Sequence, residues 1–201
     1  MKNRKRNRMK GFDYASNNLY FVTICVQNMV CCLGEIVISE GANCDLPVHE
    51  VLPVVISEGA NRDLPVQEML PNKKSKKMML NQYGLVVEER LIWLENQYKY
   101  IILHQYVVMP NHVHAIIEID SIKIKNENHQ LSNEIKIKSL SSLIGAFKTT
   151  ASKKIHELGF LNFSWQRSFH DSIIRNQKSY TNISHYIVAN PDNWKIELWH
   201  Q

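Results

Sequence analysis

Short apolar stretches along the chain predict the strands of the fold. Residues 19–26 are rich in β-branched and aromatic side chains and have the length of a buried strand. Residues 100–109 have the same composition, and residues 112–119 follow them after the turn signal Pro110-Asn111. The short turn predicts that these two strands pair with each other. A further strand is expected at residues 165–174.

Other stretches repeat their apolar residues every three or four positions, as an amphipathic helix does. Residues 84–96 and 139–158 have this spacing. Asn176 is suited to N-cap a last helix, which should end near Asn190 because Pro191 disfavours helical backbone at the residue before it. The resulting order predicts an α+β fold, a single-domain layer sandwich whose mainly antiparallel sheet has helices on one face.

A repeat interrupts this pattern between the first strand and the first helix. Residues 37–53 recur as residues 55–71, with differences at three of 17 aligned positions. Each copy carries Gly, Asn, Asp and two Pro, which is a loop composition. Two copies are too few for a solenoid. We therefore expect a duplicated surface-loop insertion at about residues 37–71, inside a domain that spans residues 19–201.

Composition narrows the class of protein. The 201 residues are 44% hydrophobic, which excludes a wholly disordered chain, and their four cysteines are too few for a disulfide scaffold. No apolar run approaches the ~18 residues that a membrane span needs. The first residues lack the apolar segment of a signal peptide, so we expect a cytoplasmic protein with no membrane partner.

Basic residues are concentrated at the start of the chain, although the net charge is only +5. Residues 1–18 are expected to form a basic N-terminal arm, and the pattern alone fits either a solvated tail or a segment that binds nucleic-acid phosphates. The candidate phosphate contacts in this arm are Arg4, Lys5, Arg6, Arg8 and Lys10.

The clearest candidate chemistry lies in the strand at residues 112–119. Alternate side chains of a strand share a face, so His112 and His114 lie on one side together with Ile116 and Glu118. The intervening residues are all apolar and predict the core side. Two imidazoles side by side are able to ligate one metal ion. A histidine pair without a metal would give the same short pattern.

A second candidate element lies near the end of the chain. Tyr186 and Asn190 are four residues apart and would share one face of a helix. The tyrosine offers a phenolic oxygen as a nucleophile, and the asparagine offers an amide oxygen as a metal ligand. The structural alternative is a packed aromatic residue beside Ile183 and Ile187.

Taken together and in order, these motifs resemble the REP-associated branch of the single-tyrosine HUH transposases. The similarity covers nearly the whole chain except the repeat. It is carried by Phe12-Asp-Tyr14, Tyr20-Phe-Val-Thr-Ile-Cys25, Met109-Pro-Asn-His-Val-His114, Trp165-Gln-Arg-Ser-Phe169 and Tyr186-Ile-Val-Ala-Asn-Pro191.

The resemblance implies an HUH endonuclease fold with a ferredoxin-like arrangement. It implies that His112 and His114 hold Mg²⁺ or Mn²⁺ and that Tyr186 is the nucleophile. Asn190 would be a third ligand, at a position where many relatives have Gln. The implied reaction cleaves single-stranded, hairpin-flanked DNA through a 5′-phosphotyrosine intermediate and later rejoins the strand.

The partner implied by the resemblance is single-stranded or hairpin DNA from palindromic repeats. The protein would act as a monomer or a homodimer. Beyond the arm, basic residues on and after the second helix are candidate DNA contacts, namely Lys148, Lys153, Lys154, Arg167 and Arg175.

Two other functions fit parts of the sequence. A catalytically silent hairpin-DNA-binding protein would keep the basic arm but would not need Tyr186. A metal-dependent hydrolase that uses water would form no covalent adduct, and it would leave the spacing of Tyr186 and Asn190 unexplained.

Overall fold

The computed structural model describes residues 11–39, 75–122 and 136–195. The strands and α-helices of these ranges are β1 (Asn18–Cys25), β2 (Gly34–Ser39), β3 (Ser75–Leu80), α1 (Gln82–Gln97), β4 (Ile101–Val108), β5 (His112–Ile119), α2 (Leu140–Glu157), β6 (His170–Ile174), α3 (Gln177–Val188) and α4 (Asn190–Asn193). Most of the basic arm and most of the repeat lie outside the described residues.

The main sheet has four strands in the order β4-β5-β1-β6, and every neighbouring pair is antiparallel. Leaving out the β2–β3 pair, the chain order is β1-α1-β4-β5-α2-β6, which is the ferredoxin-like β-α-β-β-α-β arrangement. The predicted α+β class and the predicted β4–β5 pairing are therefore confirmed.

One face of the sheet carries the main core. Helices α1 and α2 pack over it and contact each other. The buried residues of α2 are the six that its apolar spacing predicts: Leu140, Leu143, Ile144, Phe147, Ala151 and Ile155. Val113, Ala115, Ile117 and Ile119 of β5 join this core, so the predicted orientation of that strand is confirmed.

The opposite face of the sheet is also covered, which differs from the prediction of helices on one face only. Helix α3 packs against β4 and β5 there. A small apolar cluster of Ile116, Ile174 and Ile187 lies between them. This second layer places the histidine side of β5 under a helix instead of in open solvent.

Strands β2 and β3 form a separate two-stranded antiparallel ribbon that the sequence patterns did not indicate. Residues 37–39, the first residues of the predicted insertion, belong to β2. Strand β3 alternates exposed and half-buried side chains, and its three polar residues hide that alternation in the composition. The rest of the repeat lies outside the described residues.

Two segments near the ends of the domain have features that the sequence patterns did not indicate. Phe12 and Tyr14, at the end of the predicted arm, pack against the main core. Strand β6 begins only at His170, and Trp165 forms an isolated bridge with Val26.

None of the helices within the described ranges is long and apolar enough to cross a membrane.

Asn176 caps the last long helix as predicted, since its side chain accepts a hydrogen bond from the Ser179 N–H. The helix ends at Val188, and Pro191 lies in the first turn of the short helix α4. Asn190 thus begins a new helix instead of ending the old one.

Candidate active site

The site is built on the start of β5. His112 and His114 lie on the sheet face under α3, with ring centroids 4.5 Å apart. Their residues are only 9% and 5% exposed. The turn before them is held firmly, because the Pro110 carbonyl accepts hydrogen bonds from the N–H groups of Cys32 and Leu33.

Each histidine has one ring nitrogen engaged by a neighbour. Nδ1 of His112 lies 2.7 Å from Oδ1 of Asn111, and Nδ1 of His114 lies 2.9 Å from Oγ1 of Thr23. Because the Asn111 oxygen can only accept, Nδ1 of His112 carries the proton and its Nε2 keeps a lone pair. The same tautomer of His114 allows the Thr23 oxygen to accept.

Burial keeps both imidazoles neutral at physiological pH. Desolvation lowers the pKa of His112 to about 4, against a smaller opposing effect of the Asn190 side chain. Desolvation and the neighbouring His112 lower the pKa of His114 to about 3. Neutral imidazole is the form that binds a metal ion, so this burial favours ligation over protonation.

Helix α3 brings Tyr186 to the histidines. Its hydroxyl lies 3.3 Å from Nε2 of His114, and the two ring centroids are 5.2 Å apart. Phe21 stacks on His114 and meets the Tyr186 ring edge-on. Tyr186 is nevertheless 49% exposed, so about half of its residue surface is open to solvent.

Asn190 also reaches the histidine pair. Its residue is buried, and the interaction of its side chain with His112 opposes the lowering of the His112 pKa by burial. The connection between α3 and α4 therefore brings Tyr186 and Asn190 to the same place, although the two residues do not share one continuous helix.

The donor set fits a divalent cation. Two neutral imidazoles and the side chain of Asn190 lie together at the start of β5. Mg²⁺ prefers oxygen ligands, so a set with two nitrogens suits Mn²⁺ at least as well. Among the described residues no group of three or more His, Cys, Asp or Glu side chains is arranged to hold a metal, and Asn190, buried beside His112, is the candidate third ligand.

A cleft of about 1290 Å³ opens beside His112. The turn after β1, the start of β2 and the chain after α3 line it. Trp194 and Lys195 contribute an aromatic ring and a positive charge to its wall, and the Trp194 ring lies 5.9 Å from that of His112. A cleft with these groups can accommodate an extended strand next to the histidines.

Most of the predicted DNA-contact residues that the structure describes lie away from this cleft. Lys148, Lys153 and Arg167 line one cavity of about 780 Å³, between α2 and the segment before β6. That segment adjoins the end of β1, because the Gln166 N–H donates to the Cys25 carbonyl. Cys25 faces His112 in the sheet register. The segment that lines the basic cavity is thus two strand spacings, or ~10 Å, from the His112 backbone, and α2 packs on the opposite face of the sheet from the histidines.

Two of these candidates already have structural partners. Lys148 Nζ donates to the carbonyls of Gln166 and Ser168, and its burial lowers its pKa. Lys154 Nζ pairs with the Glu89 carboxylate of α1 at 3.0 Å. Arg175 is exposed at the end of β6. The arm candidates lie outside the described residues.

Sequence reasoning missed the residues that hold the histidines. Thr23 is opposite His114 in the β1–β5 register and is the polar residue of an otherwise apolar stretch, which was the available signal. Asn111 was assigned only to a turn, but its side chain is buried and also donates to the Met29 carbonyl. Lys195 had no signal beyond its charge.

The chain has relatives at low similarity. It is 25% identical over 199 residues to a protein of Haemophilus influenzae described as uncharacterized, and the match covers 96% of this chain and 90% of that protein. No family model matches the sequence.

Two solved structures are similar in part. One is a REP-associated tyrosine transposase bound to a REP hairpin, at 18% identity and a TM-score of 0.46, covering 97% of this chain and 76% of that one. The other is a protein of Deinococcus radiodurans provisionally described as a transposase, at 10% identity and a TM-score of 0.41, covering 92% and 98%. Similarity at this level does not carry an activity from those proteins to this chain.

Proposed function

We propose that this protein is a metal-dependent single-stranded DNA endonuclease and strand transferase of the REP-associated tyrosine transposase type. The observation that carries the proposal is the position of the Tyr186 hydroxyl, which lies 3.3 Å from Nε2 of His114. His114 and its neighbour His112 are both buried and neutral. An exposed phenol beside a cation site is an arrangement suited to attack on a phosphate diester.

His112, His114 and Asn190 would hold the cation. A bound Mg²⁺ or Mn²⁺ would polarise the scissile phosphate and offset the charge that develops on its oxygens. Tyr186 keeps its hydrogen bond to His114 only while that Nε2 holds no cation, since the nitrogen has one lone pair. In the loaded site the hydroxyl is free to meet the substrate.

The chemical step exchanges one ester for another. The Tyr186 oxygen forms a bond to phosphorus, and the bond from phosphorus to the 3′-oxygen of the adjoining nucleotide breaks. The phenolic proton is lost and the departing oxygen ends as a 3′-hydroxyl. Attack of such a hydroxyl on the phosphotyrosine reverses the step and joins the strand, so no nucleoside triphosphate is needed.

The DNA would run from the cleft past the histidines toward the cavity formed by Lys148, Lys153 and Arg167. Backbone phosphates supply a large, sequence-independent share of such binding. Lys195 and the residues of the basic arm would add further contacts.

The experiment is a cleavage assay on labelled single-stranded hairpin DNA taken from the flanks of the gene, with Mn²⁺ or Mg²⁺. We expect a covalent protein–DNA band that requires the cation and disappears in Tyr186→Phe. The matched control is Tyr83→Phe, because Tyr83 lies on α1 and stacks on Phe160 away from the site. Hairpin binding without any adduct from the wild-type protein would contradict the proposal and favour a silent DNA-binding protein.

A further inference from the structure

A second polar cluster lies beside α3, outside the proposed cation site. It joins His104 of β4, Glu118 of β5 and Tyr180 of α3. Nε2 of His104 lies 2.8 Å from Oε2 of Glu118, and Nδ1 of His104 lies 3.2 Å from the Tyr180 hydroxyl. Glu118 shares a strand face with the histidine pair, but it hydrogen bonds to His104 and is not part of the proposed cation site.

The carboxylate fixes the direction of one of these bonds, and the direction of the other follows for a neutral ring. The Glu118 carboxylate can only accept, so Nε2 of His104 donates to it. In the neutral ring Nδ1 is then the acceptor, and the Tyr180 hydroxyl donates to it. The side chains of His104 and Glu118 are 24% and 27% exposed, so competition from water is reduced. The cluster therefore links α3 to two strands of the sheet.

Helix α3 makes few other contacts with the sheet. Ile187 is its one buried residue, while Tyr180 and Ile183 are half-buried. Tyr186 adds its contact with His114. Tyr180 and Tyr186 are six residues apart, which separates them by about 9 Å along the helix and about 120° around it. An anchor at Tyr180 therefore restrains the rotation of α3 at a second side of the helix, away from Tyr186.

We propose that His104 and Tyr180, oriented by Glu118, are positioning residues that set the rotation of α3 and so keep the Tyr186 hydroxyl beside His114. This inference rests on the proposed function for its effect on chemistry. None of the three residues touches the proposed reacting atoms, so each acts through Tyr186. Their loss should misplace the nucleophile without removing it.

The test is single-turnover adduct formation by Tyr180→Phe at saturating hairpin DNA. We expect the rate constant to fall about tenfold, as the loss of one hydrogen bond and a small misplacement of the nucleophile predict. The adduct amplitude and the Kd for the hairpin should stay at the wild-type values. A merely structural role would instead lower the amplitude, because part of the protein would be unfolded.

Two further variants make the test specific. Tyr83→Phe removes a phenol hydroxyl from α1 and should keep the wild-type rate constant. In a His104→Leu background the Tyr180→Phe change should have no further effect, because the partner of the hydroxyl is already absent. Additive effects of the two changes would overturn the inference, as would a wild-type rate constant in Tyr180→Phe.

Hydrogen exchange of the α3 amides provides a readout without activity. We expect faster exchange in Tyr180→Phe than in the wild type and in Tyr83→Phe, because the helix has lost an anchor. Unchanged exchange would overturn the inference even if the rate fell. If the wild-type protein forms no adduct at all, the proposed function fails, while exchange still decides whether the cluster anchors α3. An adduct on Tyr180 in Tyr186→Phe would make Tyr180 a nucleophile and refute the positioning role.

Discussion

At the scale of single residues, the two histidines depend on neighbours that engage their Nδ1 atoms. Thr23 and Asn111 do this from the adjoining strand and from the turn. Such outer partners fix the tautomer and the ring orientation of a metal-binding histidine, and losing one commonly weakens metal affinity about 10- to 100-fold.

For this reason we expect Thr23→Val to raise the Kd for Mn²⁺ about tenfold. The change keeps the shape of the side chain and removes the hydroxyl that lies 2.9 Å from Nδ1 of His114. Titration calorimetry on the two proteins measures the effect. Thr149→Val, an exposed change on α2, is the control that should leave the Kd unchanged. Equal affinities of Thr23→Val and the wild type would show that His114 does not bind the ion.

The buried histidines also give the metal-free protein a defined dependence on pH. Their folded-state pKa values of about 4 and about 3 lie below the unfolded value of 6.5, so the unfolded chain binds more protons between these values. Stability is therefore complete above pH 6.5 and is lost as the pH falls through that range. Linkage gives a loss of about 2 kcal/mol per histidine at pH 5.

Chemical denaturation in the presence of a chelator, from pH 7.5 to pH 5, measures this loss. The double variant His112→Gln/His114→Gln should show a flatter dependence on pH than the wild type, because it has no imidazole to protonate at the site. Parallel pH curves for the two proteins would contradict the burial of neutral imidazoles described above.

The histidine pair and Tyr186 could be found from the sequence, because two short motifs in a fixed order carry them. The partners of the histidines could not, since a threonine inside a strand and an asparagine in a turn are common for other reasons. Only the strand register brings Thr23 beside His114. The roles of Tyr186 and Asn190 in chemistry stay predictions, although the structure places both beside the histidines.

At the scale of elements, two helical glycines have opposite surroundings. A Cβ on Gly84 of α1 would lie 2.0 Å from the Leu33 carbonyl oxygen, whereas a Cβ on Gly145 of α2 would meet no atom within 4 Å. Helix α1 therefore approaches the loop before β2 at a point where only glycine fits. This contact holds the loop that lines the cleft beside His112.

We expect Gly84→Ala to lower the free energy of unfolding by at least about 1–3 kcal/mol, the usual effect of overpacking. Gly145→Ala should raise it by about 0.5–1 kcal/mol, because alanine is the better helix residue and has room. Urea denaturation of both variants measures these changes. A destabilised Gly145→Ala, or a Gly84→Ala as stable as the wild type, would contradict the packing of α1.

The sequence predicted α2 and β5 well, because the apolar residues of each element recur with one clear period. The apolar spacing of α2 identified its whole buried face, and alternation in β5 identified its core side. The β2–β3 ribbon was missed because it is short, rich in polar residues and separated by the repeat. The position of α3 on the second face of the sheet was missed, because the spacing of apolar residues in a helix does not show which face of a sheet the helix packs against.

At the scale of the whole molecule, the distribution of charge matters more than the net charge of +5. Six of the first ten residues are basic, and further cations line the cavity near the end of β1. Contacts to phosphates release counterions, so the number of contacts can be read from the dependence of binding on salt.

We expect the combined change Arg4→Ser, Lys5→Ser, Arg6→Ser and Arg8→Ser to reduce the slope of log Kd against log salt by about 3, which corresponds to four lost contacts on single-stranded DNA. Lys154→Ser is the control with a small effect, because its ammonium is paired with Glu89. Fluorescence anisotropy of a labelled hairpin at several salt concentrations measures the slope. An unchanged slope in the quadruple variant would exclude the arm from the DNA interface.

The central claim is that Tyr186 is the nucleophile of a cation-dependent strand cleavage. The most direct measurement is mass spectrometry of the nuclease-trimmed protein after reaction with hairpin DNA and Mn²⁺. We predict a nucleotide mass on the α3 peptide at Tyr186, absent when a chelator replaces the cation. Cleaved DNA without any modified tyrosine, or a modification at a residue other than Tyr186, would contradict the account.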